Sequence, residues 1–225
     1  MANNKLRLNG YFGRIIGSIL ILVFFSSCST MMNVNAVDPE GREIDQATVS
    51  VDGLNEDRTY QIGDTGPAGG IVFFDRGFFQ DGWRYLEAAP IGADFSAQWA
   101  ANRQDVPGGT STALGSGRRN TQNIVNQLNQ RRESQRAAQL CANLEINGFK
   151  DWFLPSIDEL NYLYQNRQFV EGLQNARYWS SSQHSRRSAL ALDFGGGLFG
   201  SDFGRGRPSD HNKSDTYRVR AVRAF

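Results

Sequence analysis

Asp151-Trp-Phe-Leu-Pro-Ser-Ile-Asp-Glu-Leu160 is the stretch whose reading decides the fold. Proline at 155 disfavours helix in the residue before it, and a capping-box pattern is placed directly after it. Ser156 stands three residues ahead of Glu159, the spacing of a capping box, in which the hydroxyl and the carboxylate each accept a backbone N–H at the helix start. Leu160, Leu163 and Tyr164 then continue one apolar helical face. Asp158 and Glu159 are adjacent acids, but on a helix they point about 100° apart. Their place in a first turn fits capping and the helix dipole, not paired acid–base chemistry.

Outward from this block the pattern divides into three zones. Upstream, Ile124, Val125 and Leu128 after Thr121, then Ala137, Leu140, Cys141 and Leu144 after Ser134, predict two more helices, the second stopped by Asn147-Gly148. Before them lies a glycine-rich loop over 102–119. The tight turn Gly63-Asp-Thr-Gly-Pro-Ala-Gly69 feeds a short apolar strand at Gly70–Phe74, with Arg84–Glu87 as its hairpin partner across Gln80-Asp81-Gly82. Downstream the residues turn to strands: Tyr178–Ser181, Ala189–Phe194 alternating on Leu190, Leu192 and Phe194, and Tyr217–Phe225. Gly195–Lys213 reads as a long loop between the last two. Strands, then helices, then strands predict an α+β fold with small antiparallel sheets and two to three helices.

The N-terminus reads as an address. Lys5, Arg7 and Arg14 precede an apolar run of 11 residues, Ile15–Phe25. A membrane-spanning helix needs roughly 20 such residues, so residues 1–27 are expected to be a signal peptide. Phe25-Ser-Ser-Cys28 resembles a bacterial lipobox, which implies that Cys28 is lipidated and becomes the new N-terminus. Ser29 stands where a retention aspartate would be, which favours the outer membrane. Residues 28–58 are polar and acidic and read as a tether, with one short strand at Ala47–Val51; residues 59–225 are expected to form the domain.

The formal charge of +1 over 225 residues hides a gradient. Residues 29–100 carry 12 acids and 4 bases, whereas 176–225 carry 4 acids and 9 bases, all arginine but Lys213. Arginine holds planar anions bidentately. His184, Arg186, Arg187, Arg205, Arg207 and His211 lie in the two most irregular stretches of this basic third, and they are the expected ligand-binding set. Arg218 and Arg220 alternate with Tyr217, Val219 and Ala221, so both should project from one side of the last strand.

Other chemistries find little support. Gly195, Gly197 and Gly200 match G-x-G-x-x-G, but Ser201–Pro208 cannot open the helix that a dinucleotide loop requires. Two histidines and two cysteines leave no metal-site spacing and no catalytic triad of ordinary context. Cys141 is expected to be a buried thiol, and Trp83, Trp99, Trp152 and Trp179 to be core. No cofactor, metal or nucleic-acid partner is expected.

Four blocks carry a family resemblance: Ile62–Phe74, Ala138–Cys141 with Asn147–Leu160, Tyr178-Trp-Ser-Ser-Ser182, and Val219–Phe225. Together, over about Tyr60–Phe225, they resemble the C-terminal domain of a bacterial collagen-like adhesin. That resemblance implies a C-type-lectin-like fold, similar to the formylglycine-generating enzyme scaffold, and binding of sulfated polysaccharides in attachment. The oxidase chemistry of the latter scaffold uses two cysteines, and the domain has only Cys141. The calcium motifs of sugar-binding lectins and a collagen-like stalk are both missing. The expectation is a non-enzymatic surface lipoprotein binding an anionic polysaccharide; the rival is a structural or protein-binding envelope module.

Overall fold

The computed structural model describes residues 59–101, 105–195 and 206–225, together with the backbone of three short strands nearer the N-terminus. Those three, β1 (Leu20–Val23), β2 (Val34–Val37) and β3 (Glu43–Ile44), pair antiparallel in the order β1-β2-β3. The rest of the expected signal peptide and tether, Cys28 and the strand at Ala47–Val51 included, lies outside the described residues. The chain divides into two compact units, Met1–Thr59 and Tyr60–Phe225. The second holds the sites discussed below.

Within it, β4 (Ile71–Gln80) and β5 (Trp83–Ala88) form the expected hairpin. Asp81 (φ 55°) and Gly82 (φ 82°) both sit in the left-handed region, as a two-residue turn between twisted strands demands. Then follow β6 (Asp94–Gln98), α1 (Gly117–Gln130), α2 (Ala137–Ala142) and α3 (Ile157–Gln165). The chain ends with β7 (Arg177–Gln183), β8 (Ser188–Asp193), β9 (Pro208–Asn212), β10 (Thr216–Arg220) and β11 (Val222–Ala224). The architecture is α+β: a five-stranded sheet ordered β6-β10-β7-β8-β9 and a three-stranded sheet ordered β11-β5-β4. The pairing of β10 with β7 is parallel; the others in these two sheets are antiparallel.

Three sequence expectations need correction. Tyr217–Phe225 is not one strand: it breaks at Ala221, and β10 and β11 belong to different sheets. Pro208–Asn212, read as loop, is an edge strand; it is mostly exposed and so shows no apolar alternation. Helix α1 begins four residues before Thr121, because Thr121 is not its cap. The Thr121 hydroxyl instead accepts from Leu154 N at 3.0 Å and donates to Leu154 O at 3.2 Å, tying α1 to the segment before α3.

The five-stranded sheet lies between two apolar clusters, so alternate strand residues are buried on opposite faces. Trp179, Ala189, Ala191 and Val219 join Trp99, Ile124, Leu128, Cys141 and Trp152. Tyr178 and Leu192 join Phe73, Leu86, Leu160 and Leu163. All four tryptophans and Cys141 are buried, as expected. Burial raises the Cys141 thiol far above its usual range, which makes it inert as a nucleophile.

The capping box at Ser156 forms as read: Glu159 N donates to Ser156 Oγ at 3.2 Å, and Ser156 N donates to Glu159 Oε2 at 2.7 Å. Glu159 does more than cap its own helix. Its Oε1 also accepts the backbone N–H of Gly115 at 2.8 Å and of Gly117 at 3.3 Å, so one buried carboxyl holds the start of α1 against the start of α3. Burial pushes this carboxyl up to about 7, against the pull of those N–H donors. A side chain at Gly117 would strike Glu159 Oε2 and the Phe153 ring.

Two substitutions test this junction. Glu159→Gln turns one acceptor into a donor facing a backbone N–H and should lower unfolding stability by about 2 kcal/mol. Gly117→Ala should also destabilise, although alanine is the better helix former by about 1 kcal/mol. Urea denaturation of each variant checks both; an unchanged or stabilised Gly117→Ala would refute the close approach.

Candidate functional site

The structure places His184, Arg186 and Arg187 together on the turn between β7 and β8, all exposed. The turn is fixed by serine. Ser185 Oγ accepts from Arg187 N at 3.2 Å and from Ser188 N at 3.1 Å and shares a proton with Ser188 Oγ at 2.8 Å; the N–H groups of His184 and Ser185 both reach Ser188 O at 3.0 Å. A short polar loop is thereby held rigid while its arginines extend into water. Among the described residues, the salt bridge at the tip joins Arg186 to Asp105 at 3.7 Å, with side chains 70% and 64% exposed. Such exposed pairs contribute little, so Arg186 remains available to a ligand.

Lys213 stands behind this turn. Its backbone N–H donates to Arg187 O at 2.9 Å, and its Nζ donates to Gln183 Oε1 at 2.7 Å while lying 4.6 Å from the Trp99 ring centroid. Burial pushes its ammonium down to about 8, which sequence reading did not foresee.

The remaining members of the expected set lie elsewhere. His211 is on β9 opposite Ala189, half-buried, with Nε2 2.8 Å from Ser209 Oγ and Nδ1 3.0 Å from Tyr217 Oη. Its ring meets Trp179 and Tyr217 edge-on. Burial, and then nearby Arg177, lower its affinity for a proton, so it serves as a neutral part of that wall. Arg207 is exposed next to Pro208, which pairs with Leu192, whereas the turn arginines adjoin Ser188; four residues of strand, on the order of 13 Å, separate them. Arg205 lies outside the described residues. The five described members of the set therefore do not form one cluster.

Two of the C-terminal arginines are spent inside the domain. Arg220 is 1% exposed: it pairs with Asp94 and donates to Ala89 O at 2.7 Å. Arg223 is buried between Glu87, at 2.8 Å, and Asp151, at 2.6 Å. Neither belongs to a solvated strand face. The pattern of alternation could not reveal this, because the carboxylates come from distant parts of the chain.

Two clefts flank Arg118 on another face. One of about 250 Å³ is lined by Arg76, Trp83 and Glu159; the other, of about 460 Å³, follows α1 past Gln122 and Asn126 to Lys150 and Trp152. Arg118 and Phe153 line both. Among the described residues, no group of three or more His, Cys, Asp or Glu is arranged to hold a metal, and no helix is long and apolar enough to cross a membrane.

Comparison with known proteins gives two findings. The profile of the family described as "Lcl C-terminal domain" matches residues 95–223, from β6 to the last strand. Among solved structures, a fimbrial protein from Bacteroides ovatus is similar at 14% identity and a TM-score of 0.43, over 63% of this chain and 36% of that one. The chain thus spans about a third of that protein. No curated protein matches.

Lys213 provides a pH test of the turn. Its folded pKa of about 8 lies below the ordinary 10.5, so between those values the native state binds fewer protons than the unfolded chain. The stability of the wild type relative to Lys213→Met should therefore be constant below pH 8 and rise from about pH 8 to 10.5. Urea midpoints measured across that range check the direction.

Proposed function

The chain belongs to the Lcl C-terminal domain family, and from that premise we propose that it is a surface-displayed, non-enzymatic module that binds an anionic polysaccharide in attachment. In this reading the protein is a lipoprotein held to the outer membrane through Cys28, and residues 59–225 form a C-type-lectin-like domain like that of the collagen-like adhesins. The observation that carries the proposal is the β7–β8 turn: Arg186 and Arg187 adjoin on a serine-locked tip, with Asp105 as the neighbouring acid. The serine bonds fix the backbone that carries both arginines, and the planar guanidinium fork fits sulfate and carboxylate oxygens. The excess of positive charge in this third of the chain steers an anion toward it, and the attraction weakens with salt.

A rival reading has one observation in its favour. Phe78 and Phe79 are 57% and 70% exposed at the tip of the β4–β5 hairpin, where a protein partner would bury them. The two readings separate in one experiment. On a heparin column the wild type should be retained at low salt and released as salt rises, and Arg186→Ala/Arg187→Ala should lower affinity about tenfold, the equivalent of about 1.4 kcal/mol. Phe78→Ser/Phe79→Ser should leave retention unchanged. Retention that ignores the arginines refutes the turn as the anion site.

A further inference from the structure

The groove beside α1 has a chemistry unlike that of the turn. Each cation lining it faces a carboxylate: Arg118 and Asp151 at 3.2 Å, and Lys150 and Glu145 at 3.3 Å. A groove so balanced has no excess charge with which to draw an anion. What it offers instead is uncommitted amide groups. Helix α1 is rich in asparagine and glutamine, and four of these side chains are used inside the domain. Asn120 bonds Ser111 and Ser181, Asn123 donates to Gly109 O, Gln127 donates to Asp105 O, and Asn129 accepts from Gln139. Gln122 and Asn126, the two that line the cleft, make no hydrogen bond to the described residues. They are exposed and four residues apart, hence neighbours on one helical face.

A second observation concerns Trp152. It is 2% exposed and forms part of the cleft wall, and its indole N–H is the one buried side-chain polar atom without a partner among the described residues. The other two indoles of that cluster are satisfied: Trp99 donates to Ser180 O at 2.9 Å and Trp179 to Ala97 O at 3.1 Å. A buried donor without an acceptor costs about 1–3 kcal/mol, a cost that a ligand oxygen arriving through the cleft wall would relieve.

We propose that this groove binds an uncharged sugar chain. A carboxamide presents a donor and an acceptor side by side, which suits a sugar hydroxyl that both gives and takes a proton. The Arg118–Asp151 pair offers the same mixture at one end of the groove. From Arg118 to Asn126 the helix runs on the order of 12 Å, the span of a short oligosaccharide. An acidic polymer gains nothing here that it does not gain more cheaply at the turn. The site is therefore independent of the anion reading and survives its failure.

The test uses immobilised neutral oligosaccharides of glucose, mannose, galactose and N-acetylglucosamine at about 0.5 M salt, where exposed charges are screened within a few ångström. The wild type should retain at least one of them. Gln122→Ala/Asn126→Ala should weaken that retention at least tenfold, while Arg186→Ala/Arg187→Ala leaves it intact. Both alanines are at exposed helix positions that favour alanine, so the fold should persist, as an unchanged unfolding midpoint would verify. The indole N–H resonance of Trp152 should shift on addition of the retained sugar. Binding to none of the neutral sugars, or equal binding by the amide variant, overturns the proposal.

Discussion

Two guanidinium groups lie inside this domain, at the place where the last strand leaves one sheet for the other. Charges cannot be taken out of water unless they are paired and their remaining donors filled. Arg220 closes β10 against Asp94, the first residue of β6, and reaches the carbonyls of Ala89 and Glu171. Three residues later Arg223, on β11, bonds Glu87 of β5 and Asp151 of the segment that leads to α3. Between them Ala221 O accepts from Ala89 N, and Val222 exchanges two backbone hydrogen bonds with Phe153 at 2.8 and 2.9 Å. Those few residues connect both sheets, both apolar clusters and the start of the helical segment. Loss of either arginine's carboxylate would strand a buried cation, so the crossing holds as a unit.

The same pairs redistribute the charge that composition displays. The C-terminal fifty residues carry an excess of five bases. Arg220 and Arg223 spend theirs in the interior, and Lys213 is held where burial weakens its charge. Among the described residues, Arg186, Arg187 and Arg207 remain exposed without a close buried partner, while Arg177 is exposed beside Asp193 and Arg218 is half-buried. The basic C-terminal segment thus resolves into a structural part and a displayed part, and only the second can act on a polyanion. The groove along α1 differs from the turn in chemistry, with its cations paired and its exposed side chains amides.

Features built from adjacent residues were legible in the sequence. Ser156 and Glu159 announced their capping box, Asp81-Gly82 its hairpin turn, and the tryptophans and Cys141 their burial, because each depends on local spacing or on strong apolarity. Features built from distant partners were not. The β6 strand Asp94–Gln98 and the edge strand Pro208–Asn212 are polar and short, and only their neighbours in the sheet define them. Helix α1 begins early because Glu159, 42 residues away, supplies the acceptor for Gly117. Arg218 and Arg220 alternate as a solvated strand would; what distinguishes Arg220 is Asp94, 126 residues away. For the candidate site, composition points to the turn arginines, while their separation from Arg207 follows from an antiparallel register that no motif encodes.

The division between structural and displayed arginines is the central claim, and side-chain NMR tests it directly. In the folded protein the Nε–H resonances of Arg220 and Arg223 should stay fixed during titration with heparin, insensitive to salt, while those of Arg186 and Arg187 move and return as salt is raised. Movement of the Arg220 or Arg223 resonances, with those of Arg186 and Arg187 unchanged, would contradict the account.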